Sequence, residues 1–118
     1  MQTSGASASA HDNRDTGDTY PLVMHAAAVR IEIRIPDTMS LKAKRSVLRP
    51  VIARLKKLDV AVSEVAHQDT WQRSALGVAV VAPQAHHLDA VIASVKRTVL
   101  DDPTIEVVSV EISHLEAA

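Results

Sequence analysis

Val29-Arg30-Ile31-Glu32-Ile33-Arg34-Ile35 alternates aliphatic and charged residues without a break. Successive side chains of a strand point to opposite faces, so this stretch reads as a β-strand with one aliphatic and one charged face. Pro36 and Asp37 end it. Ser40 is a good helix N-cap, and beyond it the apolar period lengthens. Leu41, Val47, Leu48, Val51, Ile52, Leu55 and Leu58 fall on one arc of a helix over 41–58. Pro50 lies inside that helix and predicts a kink near 46–50.

The pattern continues outward in the same two periods. Val60, Val62 and Val65 open a second strand, and the step from 62 to 65 predicts a bulge or the strand's end. Residues 67–73 are polar and read as a hairpin connection. Leu76, Val78 and Val80 form a third strand, whose opposite face, Ala75, Gly77 and Ala79, is unusually small. Pro83 suits the first turn of a second helix, with Leu88, Val91, Ile92, Val95 and Val99 as its apolar stripe and Asp101-Asp102-Pro103 as its stop. Ile105 to Ile112 is a fourth strand, again out of simple alternation. The order is βαββαβ. With right-handed crossovers it gives an α+β, ferredoxin-like fold: a four-stranded antiparallel sheet in the order 4-1-3-2 with two helices on one face.

The chain has 118 residues and is 47% hydrophobic and 23% charged, with a net charge of −1, which bounds it to one globular domain. Residues 1–23 differ in character: mostly Ser, Ala, Thr, Gly, Asp and Asn, too little apolar surface to offset ordering entropy, so a disordered tail is expected. They lack the basic start and apolar core of a signal peptide. The domain is expected over 24–114, with 115–118 a short C-terminal tail. Outside residues 1–23 the chain holds twelve basic and eleven acidic residues. No apolar run approaches the ~20 residues of a membrane span.

Composition removes several chemistries of this fold. The absence of cysteine excludes disulfides, thiolate metal sites and iron–sulfur clusters. An RNA-recognition motif stacks bases on aromatics of its central strands, and strands one and three carry none. The turn Pro36-Asp37-Thr38-Met39-Ser40 has no glycine with which to cradle a phosphate. Ser46, Ser63 and Ser74 lack a glycine elbow. His86 and His87 point to different sides of a helix, away from metal-ligand spacing. No catalytic residue, cofactor or metal ligand is assigned.

Two segments remain. The first helix carries Lys42, Lys44, Arg45, Arg49, Arg54, Lys56 and Lys57, seven of thirteen basic residues, with no acid among them. Lys42, Arg45, Arg49 and Lys56 form a stripe beside the apolar arc, either a solvated face or a contact for an acidic partner. Lys44 sits in the middle of the arc and must snorkel or meet a carboxylate, Glu64 or Asp69. Chain direction brings the helix start to the same pole as the hairpin and the end of the second helix with Arg97, Asp101 and Asp102. Lys42, Lys44, Arg45, Arg49, His67, Gln68, Asp69, Trp71, Gln72 and Arg73 are therefore the candidate interaction surface. The competing reading is a Lys44 ion pair that pins the hairpin, with Trp71 as a lid over the sheet end.

Ser-Leu-Lys-Ala-Lys-Arg-Ser-Val (40–47) and Glu-Val-Ala-His-Gln-Asp-Thr-Trp-Gln-Arg-Ser-Ala-Leu-Gly-Val-Ala-Val-Val (64–81) resemble the YlxP-like family of small uncharacterised bacterial proteins, over about residues 24–113. The resemblance implies a ferredoxin-like fold, a bacterial and cytoplasmic protein, and gene neighbourhoods shared with translation and ribosome-maturation factors. It supplies no catalytic residue. Three departures stand out. There are 23 extra residues before Met24, which would serve as a start. Ala43 replaces the usual Glu that would complete a capping box with Ser40. Thr70 replaces a larger apolar residue. The expected function is non-enzymatic binding of RNA or a ribosome-associated protein. The alternative is a homodimeric interaction module pairing through the flat small face. An enzyme using His67 and Asp69 is the weakest reading, since two loop residues at that spacing need not touch.

Overall fold

The computed structural model describes residues 24–115. The tails expected over 1–23 and 116–118 lie outside the described residues. The elements are β1 (His25–Arg34), α1 (Leu41–Lys56), β2 (Ala61–Ala66), β3 (Arg73–Ala82), α2 (Ala85–Leu100) and β4 (Glu106–His114). The strands pair antiparallel in the order β2-β3-β1-β4, the ferredoxin-like arrangement.

Val29, Ile31, Ile33 and Ile35 are all buried, as the alternation of β1 requires. They pack with Leu76, Val78 and Val80 of β3, with Leu48, Val51 and Leu55 of α1, and with Leu88, Ile92, Val95 and Val99 of α2 in one continuous core. Each such side chain contributes ~1.5–3 kcal/mol by leaving water. β1 begins at His25 rather than Val29, because Ala26, Ala27 and Ala28 pair with Val81, Val80 and Ala79. The pairing of β3 with this alanine run extends the strand where side-chain pattern is silent.

Both breaks in alternation are register shifts. In β2 the shift falls between Glu64 and Ala66, leaving Val65 as the extra residue. In the β1–β4 pair, Glu32 faces Ser109 and Ile33 faces Val107, so Val108 is extra. Bulged residues of this kind stay unpaired and bend the strand, and Val65 and Val108 are both exposed.

Ser40 Oγ accepts from Ala43 N–H at 3.0 Å and caps α1. The helix runs on through Pro50, which lies on its exposed side. It ends at Lys56 rather than at Leu58, and Asp59, with φ of 64°, turns the chain into β2. Pro83 is outside α2, not in its first turn. Gln84 is the N-cap and makes no side-chain capping bond.

Gly77 lies opposite both Arg30 and Ser63. A Cβ there would stand 2.8 Å from Val65 Cγ1, closer than a short branched side chain can yield without moving the bulge. Gly77→Ala is expected to destabilise the fold by ~1–3 kcal/mol through overpacking. Adding Val65→Ala should restore most of that loss. Urea denaturation of the double-mutant cycle measures it, and simple additivity of the two changes would contradict the contact.

Candidate interaction surface

The site is built around a lysine that the helical pattern places in the core. Lys44 is 2% exposed. An ammonium has three protons to donate, and each finds an oxygen: Glu64 Oε2 at 3.0 Å, His67 O at 2.7 Å and Arg73 O at 3.1 Å. Gln68 O stands further off at 3.4 Å. Of the two carboxylates considered from sequence, Glu64 is the partner. Asp69 is exposed and makes no ion pair among the described residues. Ser74, wholly buried, donates its hydroxyl to the same Glu64 oxygen at 2.7 Å. The buried charge is thus both paired and hydrogen-bonded, the condition under which burial is tolerable.

A second fastening comes from Thr38, buried in the turn after β1. Its hydroxyl lies within bonding distance of two carbonyls, Trp71 O at 2.7 Å and Ile35 O at 2.9 Å. Ile35 N–H donates to Gln72 O at 2.9 Å, and Gln72 Nε2 donates to Thr38 O at 3.3 Å. Sequence reading singled out neither Thr38 nor the carbonyls. A threonine in a polar turn resembles any other, and backbone oxygens leave no mark in a sequence. His67 takes φ of 64°, a left-handed turn without the glycine that would have announced it.

His67 has a further contact. Its Nε2 lies 3.2 Å from Glu32 Oε1 on the open side of the sheet. Arg73 also donates to Glu32 Oε1, at 3.1 Å, and Arg30 donates to Glu32 Oε2 at 2.9 Å. Burial pushes the Glu32 carboxyl up, but the hydrogen bond from Arg30 and the charge and bond of His67 outweigh it and hold the group below the usual carboxylate range. Ala75, cross-strand from Glu32, is itself fully buried, so the small face is not flat along its whole length.

The surface residues divide accordingly. Lys44 is a brace. His67, Gln68, Gln72 and Arg73 belong to the braced hairpin, and Trp71 is half exposed at its turn. Lys42, Arg45 and Arg49 are exposed along α1, as are Lys56 and Lys57, and none of these five is ion-paired among the described residues. Lys42 and Arg45 stand in the first turns of α1, where no acid offsets the positive end of the helix dipole. His67 and Asp69 make no contact with each other. The end of α2 lines a different recess, of about 830 Å³, where Arg97, Asp101 and Asp102 face Ser46, Val47, Pro50 and Arg54 of α1. Asp102 is buried there. Burial pushes its carboxyl up, while bonds from the Thr104 hydroxyl and N–H and the Arg54 guanidinium more than reverse this and lower it.

Among the described residues no group of three or more His, Asp or Glu side chains is placed to hold a metal ion. No helix among them is long and apolar enough to cross a membrane.

These features define a ferredoxin-like α+β domain with a basic helix and a clamped hairpin at one pole. A family model described as a protein of unknown function (DUF503) matches residues 26–112, and the chain belongs to that family. All ten surface candidates fall within the match. The uncharacterized protein YlxP of Bacillus subtilis (strain 168) is 46% identical over 52 residues, 43% of this chain and 56% of that protein, so the matched segment spans little more than half of that relative. The YlxP-like resemblance is thereby established. Among solved structures, the de novo designed protein Foldit4 is similar with a TM-score of 0.50 and 12% identity, covering 79% of this chain and 97% of that one. That likeness concerns the fold alone.

Replacing Lys44 with methionine should cost ~3 kcal/mol or more, because Glu64 and three carbonyls lose their common donor. Asp69→Asn should change stability by no more than ~0.5 kcal/mol. Chemical denaturation of both variants measures the difference, and equal effects would contradict the clamp.

Proposed function

We propose that this domain is a non-catalytic RNA-binding protein of the bacterial cytoplasm, and that it engages RNA through the outer face of α1 and the adjoining hairpin. One observation carries the reading. Five exposed cations on a single helix, Lys42, Arg45, Arg49, Lys56 and Lys57, have no carboxylate partner among the described residues. Exposed charges on a helix ordinarily gain from partners three or four residues away, and two of these five oppose the helix dipole as well. Folding alone therefore gives no reason for the pattern. A polyanion does, because each phosphate neutralised releases condensed counterions.

The direct test is filter binding of structured RNA over a range of salt. Association should be measurable at low salt and weaken as salt rises. Arg45→Ala with Arg49→Ala should reduce affinity and flatten the logarithmic salt slope by roughly 1.4, about 0.7 for each phosphate contact in a single strand. Absence of binding at low salt, or binding indifferent to both replacements, overturns the reading.

The open sheet face favours a second reading, a homodimer. It holds a shallow apolar trough of about 560 Å³ lined by Ala28, Ala61, Val65, Gly77 and Ala79, with Arg30 and Glu111 at its border. Charges of both signs suit a two-fold contact of the face with itself. Light scattering separates the readings, and a strict monomer at tens of micromolar removes this one.

A further inference from the structure

The core of this domain contains no aromatic side chain. The whole chain has one Trp, one Tyr and no Phe, and the Tyr lies outside the described residues. The single aromatic of the folded domain is placed on the surface, at Trp71, 48% exposed. Aromatic rings give a small domain its largest apolar burial per residue. This ring is withheld from that use.

The backbone beneath the ring is held with unusual completeness. The carbonyls of His67 and Arg73 are taken by Lys44, with Gln68 O beside them, that of Trp71 by Thr38 and that of Gln72 by Ile35 N–H. These acceptors turn inward toward α1, the turn before it, or β1. What the hairpin offers outward is side chains: Gln68, Asp69, Thr70 and Trp71, all exposed. Met39, 68% exposed and 4.0 Å from Gln72 Nε2 through its sulfur, widens the apolar patch. Lys42, Arg45 and Arg73 supply positive charge at the same pole. Asp37 and Asp69 are the exposed carboxylates there, and Glu64 is already taken by Lys44 and Ser74. A side chain on an immobilised backbone loses little entropy on binding.

Resting on the RNA reading above, we propose that Trp71 is a stacking platform for an unpaired nucleobase, and that the RNA taken at this pole is single-stranded. A ring on a hairpin turn cannot reach the bases of an A-form duplex, whose major groove is deep and narrow, whereas unstacked bases of single strands present their faces. Cations of the α1 entrance hold the flanking phosphates while the indole takes the base. This combination of basic track and aromatic face is how strands are bound without sequence preference.

The chain's one tryptophan is its own reporter. Intrinsic fluorescence of the full chain is titrated with oligoadenylate and with a blunt RNA duplex of equal length. Saturable quenching by oligoadenylate is expected, with weaker binding of the duplex. Trp71→Ala should weaken oligoadenylate binding, followed by filter retention, about tenfold or more, and Trp71→Phe should weaken it less. Circular dichroism checks that the variants fold, and quenching in the wild-type chain decides the matter if one does not. Oligoadenylate binding that needs Arg45 and Arg49 yet leaves the fluorescence unmoved, or that survives Trp71→Ala, overturns the platform and leaves the RNA reading standing. Failure of both RNAs to bind the wild-type chain overturns both. Quenching by a co-purified protein rather than by oligoadenylate also overturns the platform.

Discussion

One ammonium group joins the two segments on which this surface depends. Lys44 Nζ closes a gap between the first turn of α1 and the β2–β3 hairpin by donating to a carboxylate and two carbonyls, with a third carbonyl close by. A methionine or leucine at this place would continue the apolar stripe of the helix and leave the hairpin carbonyls facing a dry surface. The lysine carries its charge to the rim of the core, where backbone oxygens gather. Its aliphatic stem remains among the core residues. Hydrophobic packing fixes the helix against the sheet, and the ammonium fixes the loop against the helix.

Geometry then divides labour along α1. The face at the sheet holds Leu48, Val51 and Leu55, and the entrance holds the clamp. The remaining cations face solvent with no opposing charge among the described residues. A helix stabilised only for itself would carry acids in its first turn; α1 has none and keeps its cations for what lies outside. The hairpin is the complement of this helix. Its backbone is consumed by internal bonds, and its exposed side chains, with the domain's single indole, project from a fixed frame. Functional loops commonly stand on a rigid scaffold in this way.

Much of this was legible before any coordinates. Alternation in Val29–Ile35 announced β1, the arcs of both helices announced the layer that covers it, and chain direction put hairpin and helix start at one pole. Lys44 was conspicuous because its position on the wheel conflicted with its charge, and Glu64 was one of two carboxylates within reach. What escaped had a common physical origin. Alanines carry no periodic signal, so the first residues of β1 were invisible until their pairing with β3 was seen. Pro83 fits a first turn by its fixed φ, yet the helix starts later at Ala85. Thr38, the hairpin carbonyls and the left-handed His67 contribute through backbone geometry, which residue types do not encode. The Glu32 cluster joins β1 to residues more than thirty positions away, and only register could bring those together.

The clamp can be observed directly through the side-chain nitrogen of Lys44. With the chain labelled in nitrogen-15, the protons of each lysine ammonium are followed for exchange with water at neutral pH. An ammonium sealed beneath the hairpin by three oxygens should give a sharp, slowly exchanging signal, while Lys42, Lys56 and Lys57 broaden beyond detection. A Lys44 signal exchanging as fast as theirs would mean that the hairpin is not fastened to the helix, and the surface assembled here would lose its frame.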